Sequence, residues 1–197
     1  MESGLDEAFL IWHSLPEMID ETESAAVPIE PVPIPAVLHS FYEDRPFRTC
    51  TRCGESLIHF KEGFRISKNF RRGETILEYA LCIPCLTRMI DEMSEESKQR
   101  HAQYQAEHYR GVSGFDECAL CEETRAGVRD AEYGLIGICQ GEHLADSAMI
   151  CVHCMETMAE LMSEETRRTW ERFREENFPG VPVDLEPFPI GHAPRML

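Results

Sequence analysis

The chain has 197 residues, enough for one or two ordinary domains, and 43% of them are hydrophobic, too many for a disordered chain. Its 36 acidic residues outnumber its 19 basic ones, which gives a formal net charge of −17. This charge repels polyanions and argues against non-specific binding of nucleic acid or anionic membranes. No apolar run approaches the roughly 18–20 residues that span a bilayer. The acidic start of the chain lacks the basic stretch of a signal peptide, so we expect a cytoplasmic protein.

Residues 1–44 form an acidic arm with ten acidic residues and no lysine or arginine. Apolar residues between positions 5 and 19 suit a short amphipathic helix. Four prolines within residues 28–35 then favour an extended segment. A similar Pro-rich stretch near the C-terminus predicts an extended tail at residues 182–197. We expect both Pro-rich segments to lie along the folded units, the alternative being that they are linkers.

The region 45–112 opens with a C-x-x-C turn, and two β-rich runs follow at residues 63–68 and 75–81. The Arg-Arg-Gly sequence between the runs predicts a β-hairpin. A second C-x-x-C turn leads directly into apolar residues at helical spacing. Ser94, which two glutamates follow, is a typical N-cap, so we expect the helix to break there, restart and run to about His108.

The region 113–181 repeats this pattern at an offset of 68–69 residues. The match is clearest in the helical segments, where residues 85–97 align with residues 154–166. Ser163, which two glutamates also follow, is the second predicted N-cap. The second hairpin is predicted at residues 133–139 and 144–150. A repeat of this length indicates two copies of one structural unit. The predicted fold is therefore α+β, with two tandem units that each contain a metal-binding turn, a β-hairpin and a helix.

Eight of the nine cysteines form four C-x-x-C pairs, two pairs in each repeat. Two such pairs separated by a loop place four thiolates around one tetrahedral ion. A reducing compartment favours metal binding over disulfides. The spacing therefore predicts two metal sites, and we expect one Zn²⁺ ion in each. A duplicated unit favours sites contained within each repeat over a cross-brace, in which the first pairs of both repeats share an ion.

The order of turn, hairpin and helix, with ligands at the helix N-terminus, resembles the treble-clef group of zinc fingers over residues 45–110 and 113–178. The resemblance implies one zinc in each unit. The implied ligands are Cys50, Cys53, Cys82 and Cys85 in the first unit, and Cys118, Cys121, Cys151 and Cys154 in the second. A site of four cysteines has no open position for water or substrate, so it is structural and not catalytic.

Other interpretations of these residues stay open. A rubredoxin-like iron site also uses two C-x-x-C pairs, and a C-x-x-C turn at a helix start is also typical of thioredoxin-type redox proteins. His143 or His153 would be an alternative ligand at the second site. Cys139 aligns with a hairpin position of the first repeat and is expected to be a buried free cysteine. The methionines along both helical segments are expected to be core, the alternative being a groove for a partner.

The charge is uneven, because residues 45–72 hold eight basic and two acidic residues and so carry +6. This stretch is either a solvated hairpin face or a surface for phosphate or nucleic acid. Its basic residues are Arg45, Arg48, Arg52, Lys61, Arg65, Lys68, Arg71 and Arg72. We expect the acidic arm to dock through the apolar side chains of residues 9–12 and to cover part of this stretch.

The chain contains no Ser-His-Asp order, Gly-rich phosphate loop or H-E-x-x-H motif, so we do not expect an enzyme. The sequence is best interpreted as a cytoplasmic zinc-binding protein that acts as a protein–protein interaction or adaptor module. One alternative is a nucleic-acid-associated regulator that uses the basic residues 45–72. Another is a zinc-thiolate redox switch or a thiol-disulfide enzyme.

Overall fold

The structure, a computed structural model, describes residues 31–111 and 113–178. The predicted helix at residues 5–19, the docking of residues 9–12 and the tail at residues 182–197 lie outside this range. Among the described residues, no helix has the length and apolar character needed to cross a membrane.

The described part is α+β, with four α-helices and a single sheet of five antiparallel strands in the order β1-β5-β4-β2-β3. The strands are β1 Val32–Pro33, β2 Phe64–Arg71, β3 Glu74–Cys82, β4 Tyr133–Gln140 and β5 His143–Cys151. The helices are α1 Ile83–Asp91, α2 Glu95–His108, α3 Val152–Glu160 and α4 Glu164–Asn177. Both predicted hairpins are therefore present, and each is followed by two helices.

The turn of the first hairpin follows from two residues with left-handed backbone. Arg72 and Gly73 have φ angles of 53° and 84°. A two-residue turn with positive φ at both positions matches the right-handed twist of the strands that it joins. The strands consequently extend to the turn, a few residues beyond the runs predicted from the sequence.

The two hairpins join through β2 and β4, and equivalent positions of the two repeats meet in this pair. Ser67 pairs with Ile136, which is its own equivalent at an offset of 69 residues. Three residues away, Phe64 pairs with Cys139, the equivalent of Phe70. Antiparallel pairing of a strand with its own copy is the self-complementary contact of a two-fold axis. The repeats are therefore related by a pseudo-two-fold axis through the pair of Ser67 and Ile136.

A second contact between equivalent residues joins the starts of α2 and α4. Ser94 and Ser163 cap these helices, and their hydroxyl oxygens lie 2.8 Å apart. The backbone N–H of Ser94 donates to the Thr166 hydroxyl at 3.0 Å. Reciprocally, the N–H of Ser163 donates to the Ser97 hydroxyl at 2.9 Å. Because Ser97 and Thr166 are fully buried, each repeat satisfies backbone groups of the other in a site away from water.

Residues 31–44 run along the sheet and are held by a buried ion pair. The ammonium of Lys68 lies 3.0 Å from the carboxylate of Glu78, and both side chains are about 5% exposed. The Ser40 hydroxyl and the Phe41 N–H donate to the same carboxylate at 2.9 and 2.8 Å. Hydrogen bonds to a charged group are stronger than neutral ones, so this carboxylate fixes the path of the segment.

The same segment packs closely on β4. Leu38 is fully buried, and a Cβ on Gly137 would lie 2.4 Å from its Cδ1. The missing side chain of Gly137 therefore makes room for Leu38. The segment also adds β1 to the sheet, where Val32 pairs with Leu144 of β5.

Thr166→Val is expected to lower the free energy of unfolding by about 1–3 kcal/mol. The substitution keeps the shape of the side chain but leaves the partly buried N–H of Ser94 without its acceptor. Urea denaturation of the metal-loaded protein measures the change. Thr169→Val on the same helix is the control and should shift stability by less than about 0.5 kcal/mol, because its hydroxyl is exposed. Equal effects of the two substitutions would contradict the role given to this network.

Candidate metal centres

The structure gathers eight cysteines into two groups, each formed within one repeat. The first group is Cys50, Cys53, Cys82 and Cys85, and the second is Cys118, Cys121, Cys151 and Cys154. In each group all four sulfur atoms lie within 4.8 Å of one another. A tetrahedral ion with Zn–S bonds of about 2.3 Å needs sulfurs separated by about 3.8 Å, so each group is close to the size of one bound ion.

The first C-x-x-C turn of each repeat is a tight backbone reversal. The N–H of Cys50 donates to the Glu55 carbonyl at 2.8 Å, and the N–H of Gly54 donates to the Cys50 carbonyl at 2.8 Å. The second repeat has the same two bonds around Cys118, with Glu122 in the place of Gly54. Both of these residues have positive φ, 73° and 62°. The second turn therefore keeps the left-handed geometry without a glycine.

The second C-x-x-C pair lies at the start of a helix. Cys82 ends β3 and is the N-cap residue of α1, and Cys85 is in the first turn. The N–H of Cys82 donates to the sulfur of Cys50 at 3.4 Å, and the N–H of Cys151 donates to the sulfur of Cys118 at 3.3 Å. These bonds and the free N–H groups at the helix start stabilise negative charge on sulfur.

Backbone bonds also tie each first turn to the hairpin, which the sequence did not reveal. The N–H of Thr51 donates to the Ala80 carbonyl at 2.7 Å, and the N–H of Ala119 donates to the Met149 carbonyl at 2.9 Å. Because such bonds involve only backbone atoms, they leave no pattern of residue types. Their effect is to place the two sulfur pairs of each repeat next to each other.

The thiols of the first group differ in acidity. Burial opposes ionisation of Cys50, but hydrogen bonds from the backbone of Cys53 and Cys82 outweigh it and lower its pKa to about 7. Burial raises the pKa of Cys82 to about 11 and also raises that of Cys85. Near neutral pH, Cys50 is therefore partly ionised and can bind a cation directly. A metal must displace the protons of Cys82 and Cys85.

The second group has the same pattern. Hydrogen bonds from the thiols of Cys151 and Cys154 hold the pKa of Cys118 well below its usual range. The corresponding bond to Cys118 raises the pKa of Cys151 to about 12 and raises that of Cys154. A divalent cation changes this balance, because a thiol that coordinates it is deprotonated.

The ninth cysteine and the two histidines considered as alternative ligands lie outside both groups. Cys139 is 1% exposed in β4, and burial raises the pKa of its thiol to about 12. Its environment is that of an inert core cysteine. In the described residues the second group consists of cysteines alone, without His143 or His153.

Many of the basic residues in the range 45–72 already contact acidic side chains. The ion pairs are Arg45–Glu43, Arg52–Glu92, Lys68–Glu78, Arg71–Glu132 and Arg72–Asp130, with separations of 2.7, 2.6, 3.0, 2.8 and 3.7 Å. Arg65 is only 9% exposed. These contacts reduce the positive field that a polyanion would meet, and nucleic-acid binding stays a prediction.

No protein-family profile matches this chain, and no curated protein or solved structure matches it either. Its function is therefore inferred from its own residues and their geometry. Three features bear on function: the two sulfur groups, the exposed aromatic side chains and the cavity inside the fold.

The purified protein is expected to contain two zinc ions per chain, one for each sulfur group. Cys85→Ser should reduce the zinc content to about one ion, because three thiolates and a hydroxyl hold Zn²⁺ poorly. Cys139→Ala is the matched control and should keep both ions. Elemental analysis of the three proteins gives the result. Loss of zinc from the control, or an iron absorption spectrum in the unmodified protein, would contradict the assignment.

Removing the metal with a chelator is expected to unfold the protein, because a small unit obtains much of its folding free energy from a structural zinc. Lower pH should act in the same direction. Protons compete with the metal for the thiols, and the pKa values of Cys82 and Cys151 are raised to about 11 and 12. Circular dichroism and competition with a chromophoric chelator between pH 8 and pH 5 measure both effects. An unchanged melting curve after complete metal removal would refute the structural role.

Proposed function

We propose that the protein is a non-enzymatic zinc-binding module that presents a surface to a protein partner. The observation that carries the zinc assignment is the closure of both groups, in which four sulfurs of one repeat lie within 4.8 Å of one another. Four protein ligands leave no coordination position for water or substrate. The proposed role of the metal is therefore to stabilise the fold.

Zinc is preferred to iron because of where the second ligand pair lies. A rubredoxin-like site would favour a glycine-containing turn at both pairs, whereas here Cys85 and Cys154 lie in the first turns of α1 and α3. Turn, hairpin and helix follow in this order in both repeats. We infer that each repeat is a treble-clef-like unit and that two such units share one sheet.

The proposed partner surface is the aromatic turn, defined as residues 40–45. Its two aromatic side chains, Phe41 and Tyr42, are 69% and 88% exposed, and their rings meet edge to face at 5.8 Å. The backbone beneath them is held by the buried carboxylate of Glu78. Exposed aromatic side chains on a fixed backbone lose little entropy on binding, and aromatic residues are frequent hot spots of protein interfaces.

The double substitution Phe41→Ser with Tyr42→Ser is expected to weaken partner binding at least about tenfold, since each hot-spot side chain contributes about 2 kcal/mol or more. Quantitative affinity capture from cells compares the proteins retained by the variant and by the unmodified protein. Ile58→Ser is the control, because Ile58 is 58% exposed but lies outside the aromatic turn.

Zinc content and melting temperature should be the same in all three proteins. The proposal predicts partners that are retained by the unmodified protein and by the Ile58→Ser control but lost from the double variant. Identical sets of captured proteins for all three would show that the aromatic turn is not the interaction surface.

A further inference from the structure

A cavity of about 140 Å³ lies between the sheet and the helices, and residues from both repeats line it. Five methionines form much of its apolar wall: Met89, Met93, Met155, Met158 and Met162. Met89 and Met158 are equivalent positions, as are Met93 and Met162. The cavity therefore lies close to the pseudo-two-fold axis. Methionine side chains are flexible and polarizable, so this wall adapts to the shape of a guest and contacts aromatic rings favourably.

The lining also contains a polar triad, defined as Ser67, Asn69 and His101. Ser67 and Asn69 are each only 4% exposed. In the part of the chain that the structure describes, the Ser67 hydroxyl, the Asn69 amide nitrogen and Nε2 of His101 are buried without a hydrogen-bond partner. Leaving a buried polar group unpaired is costly, so these atoms in one cavity indicate that something else satisfies them.

Only one repeat supplies these polar groups. At the positions equivalent to the polar triad, the second repeat has Ile136, Ile138 and Trp170. The two repeats therefore contribute differently to the cavity, because the first repeat has hydrogen-bonding groups where the second has apolar side chains. This arrangement matches a guest that has one polar end and an apolar body.

The backbone of β4 also leaves space beside the polar triad. A Cβ on Gly134 would lie 2.9 Å from Oδ1 of Asn69 and 3.2 Å from the sulfur of Met155. Any side chain at this position would therefore crowd Asn69 and Met155 in the cavity lining. Gly134 thus keeps the Asn69 amide accessible from the cavity.

The polar triad defines the head group of the guest. The Asn69 nitrogen is a donor and requires an acceptor. Nε2 of the His101 ring is buried without a partner, and an imidazole nitrogen either donates or accepts according to its tautomer. A hydroxyl or a primary amide offers both functions in one small group.

A charged head is disfavoured, because the cationic side chains of the lining are already engaged. The Lys98 ammonium lies 2.7 Å from the Glu95 carboxylate and also donates to the Asp91 carbonyl. Arg65 has an interaction of its own as well. An anion entering the cavity would therefore lose its hydration without gaining a free cation.

We propose that this cavity binds a small uncharged molecule of about six to ten heavy atoms, with an apolar body, preferably aromatic, and a hydroxyl or primary amide head. The size follows from the volume, since an engineered cavity of about 150 Å³ in another protein accepts benzene. The head bonds to Asn69 and His101, and the body lies against the methionines. This site is separate from the sulfur groups and from the aromatic turn, so it is a function beyond the one proposed above.

The test uses the full-length, zinc-loaded protein with ¹³C-labelled methionine methyl groups, and benzamide as the probe. The chain has nine methionines, and the five in the cavity wall should show saturable shifts in NMR spectra. Met149, which is fully buried in β5 but is not among the lining residues, serves as the internal control. Benzamide should bind about tenfold more tightly than toluene, which lacks the head, and more tightly than benzoate, which is charged.

Two variants locate the site. Ala102→Leu extends a side chain from α2 into the cavity and should abolish the shifts, whereas Ala106→Leu on the exposed side of α2 should not. Asn69→Leu should reduce the affinity for benzamide to that for toluene. If this last variant does not fold, the comparison of the three ligands in the unmodified protein still tests the polar recognition.

Three outcomes would overturn the proposal. Absence of methyl shifts up to the solubility limit of benzamide would mean that water satisfies the polar triad. Equal affinities for benzamide and toluene would remove the role of the head group. Unchanged binding in Ala102→Leu would place the site elsewhere. Zinc analysis of every sample shows whether the metal centres are intact, so that failure of this proposal is distinguished from failure of the zinc assignment.

Discussion

The antiparallel pairing of β2 with β4 joins the two repeats, and most other features of the fold depend on it. It joins the two hairpins into one sheet. The edge of β2 and the edge of β4 cover each other and are not exposed. It also brings the starts of α2 and α4 together, where Ser94 and Ser163 meet. An isolated two-stranded hairpin is marginal in water, whereas a sheet of this size with helices packed on it forms a core. The arrangement of the two repeats therefore resembles that of a symmetric dimer whose subunits are joined in one chain.

The two sulfur groups and the sheet pairing connect different parts of this structure. The sulfur groups connect each first turn to the start of a helix, within one repeat. The sheet connects one repeat to the other. Neither connection replaces the other, because each unit is too small to bury a large core and a sulfur group within one repeat makes no link to the other repeat.

The two repeats differ in how they contact residues 31–44. The first repeat supplies the buried pair of Lys68 and Glu78, which holds residues 31–44 on the sheet. At the position equivalent to Lys68 the second repeat has Gly137, whose missing side chain makes room for Leu38 of the same segment. The lining of the cavity differs in a similar way. The first repeat has the polar triad, and the second has apolar residues at the equivalent positions. The two repeats thus share one backbone arrangement but differ in the side chains that contact residues 31–44 and line the cavity.

The sequence alone determined the features that depend on a few neighbouring residues. These are the four C-x-x-C turns, the two hairpins, the N-caps at Ser94 and Ser163 and the repeat that relates them. Each follows from local backbone geometry or ligand spacing. Only the tertiary structure decided that β2 pairs with β4, that Lys68 is buried against Glu78 and that a polar triad and five methionines line one cavity. These contacts join residues far apart in the chain, and their formation depends on which strand edges and helix faces meet, which no local pattern encodes.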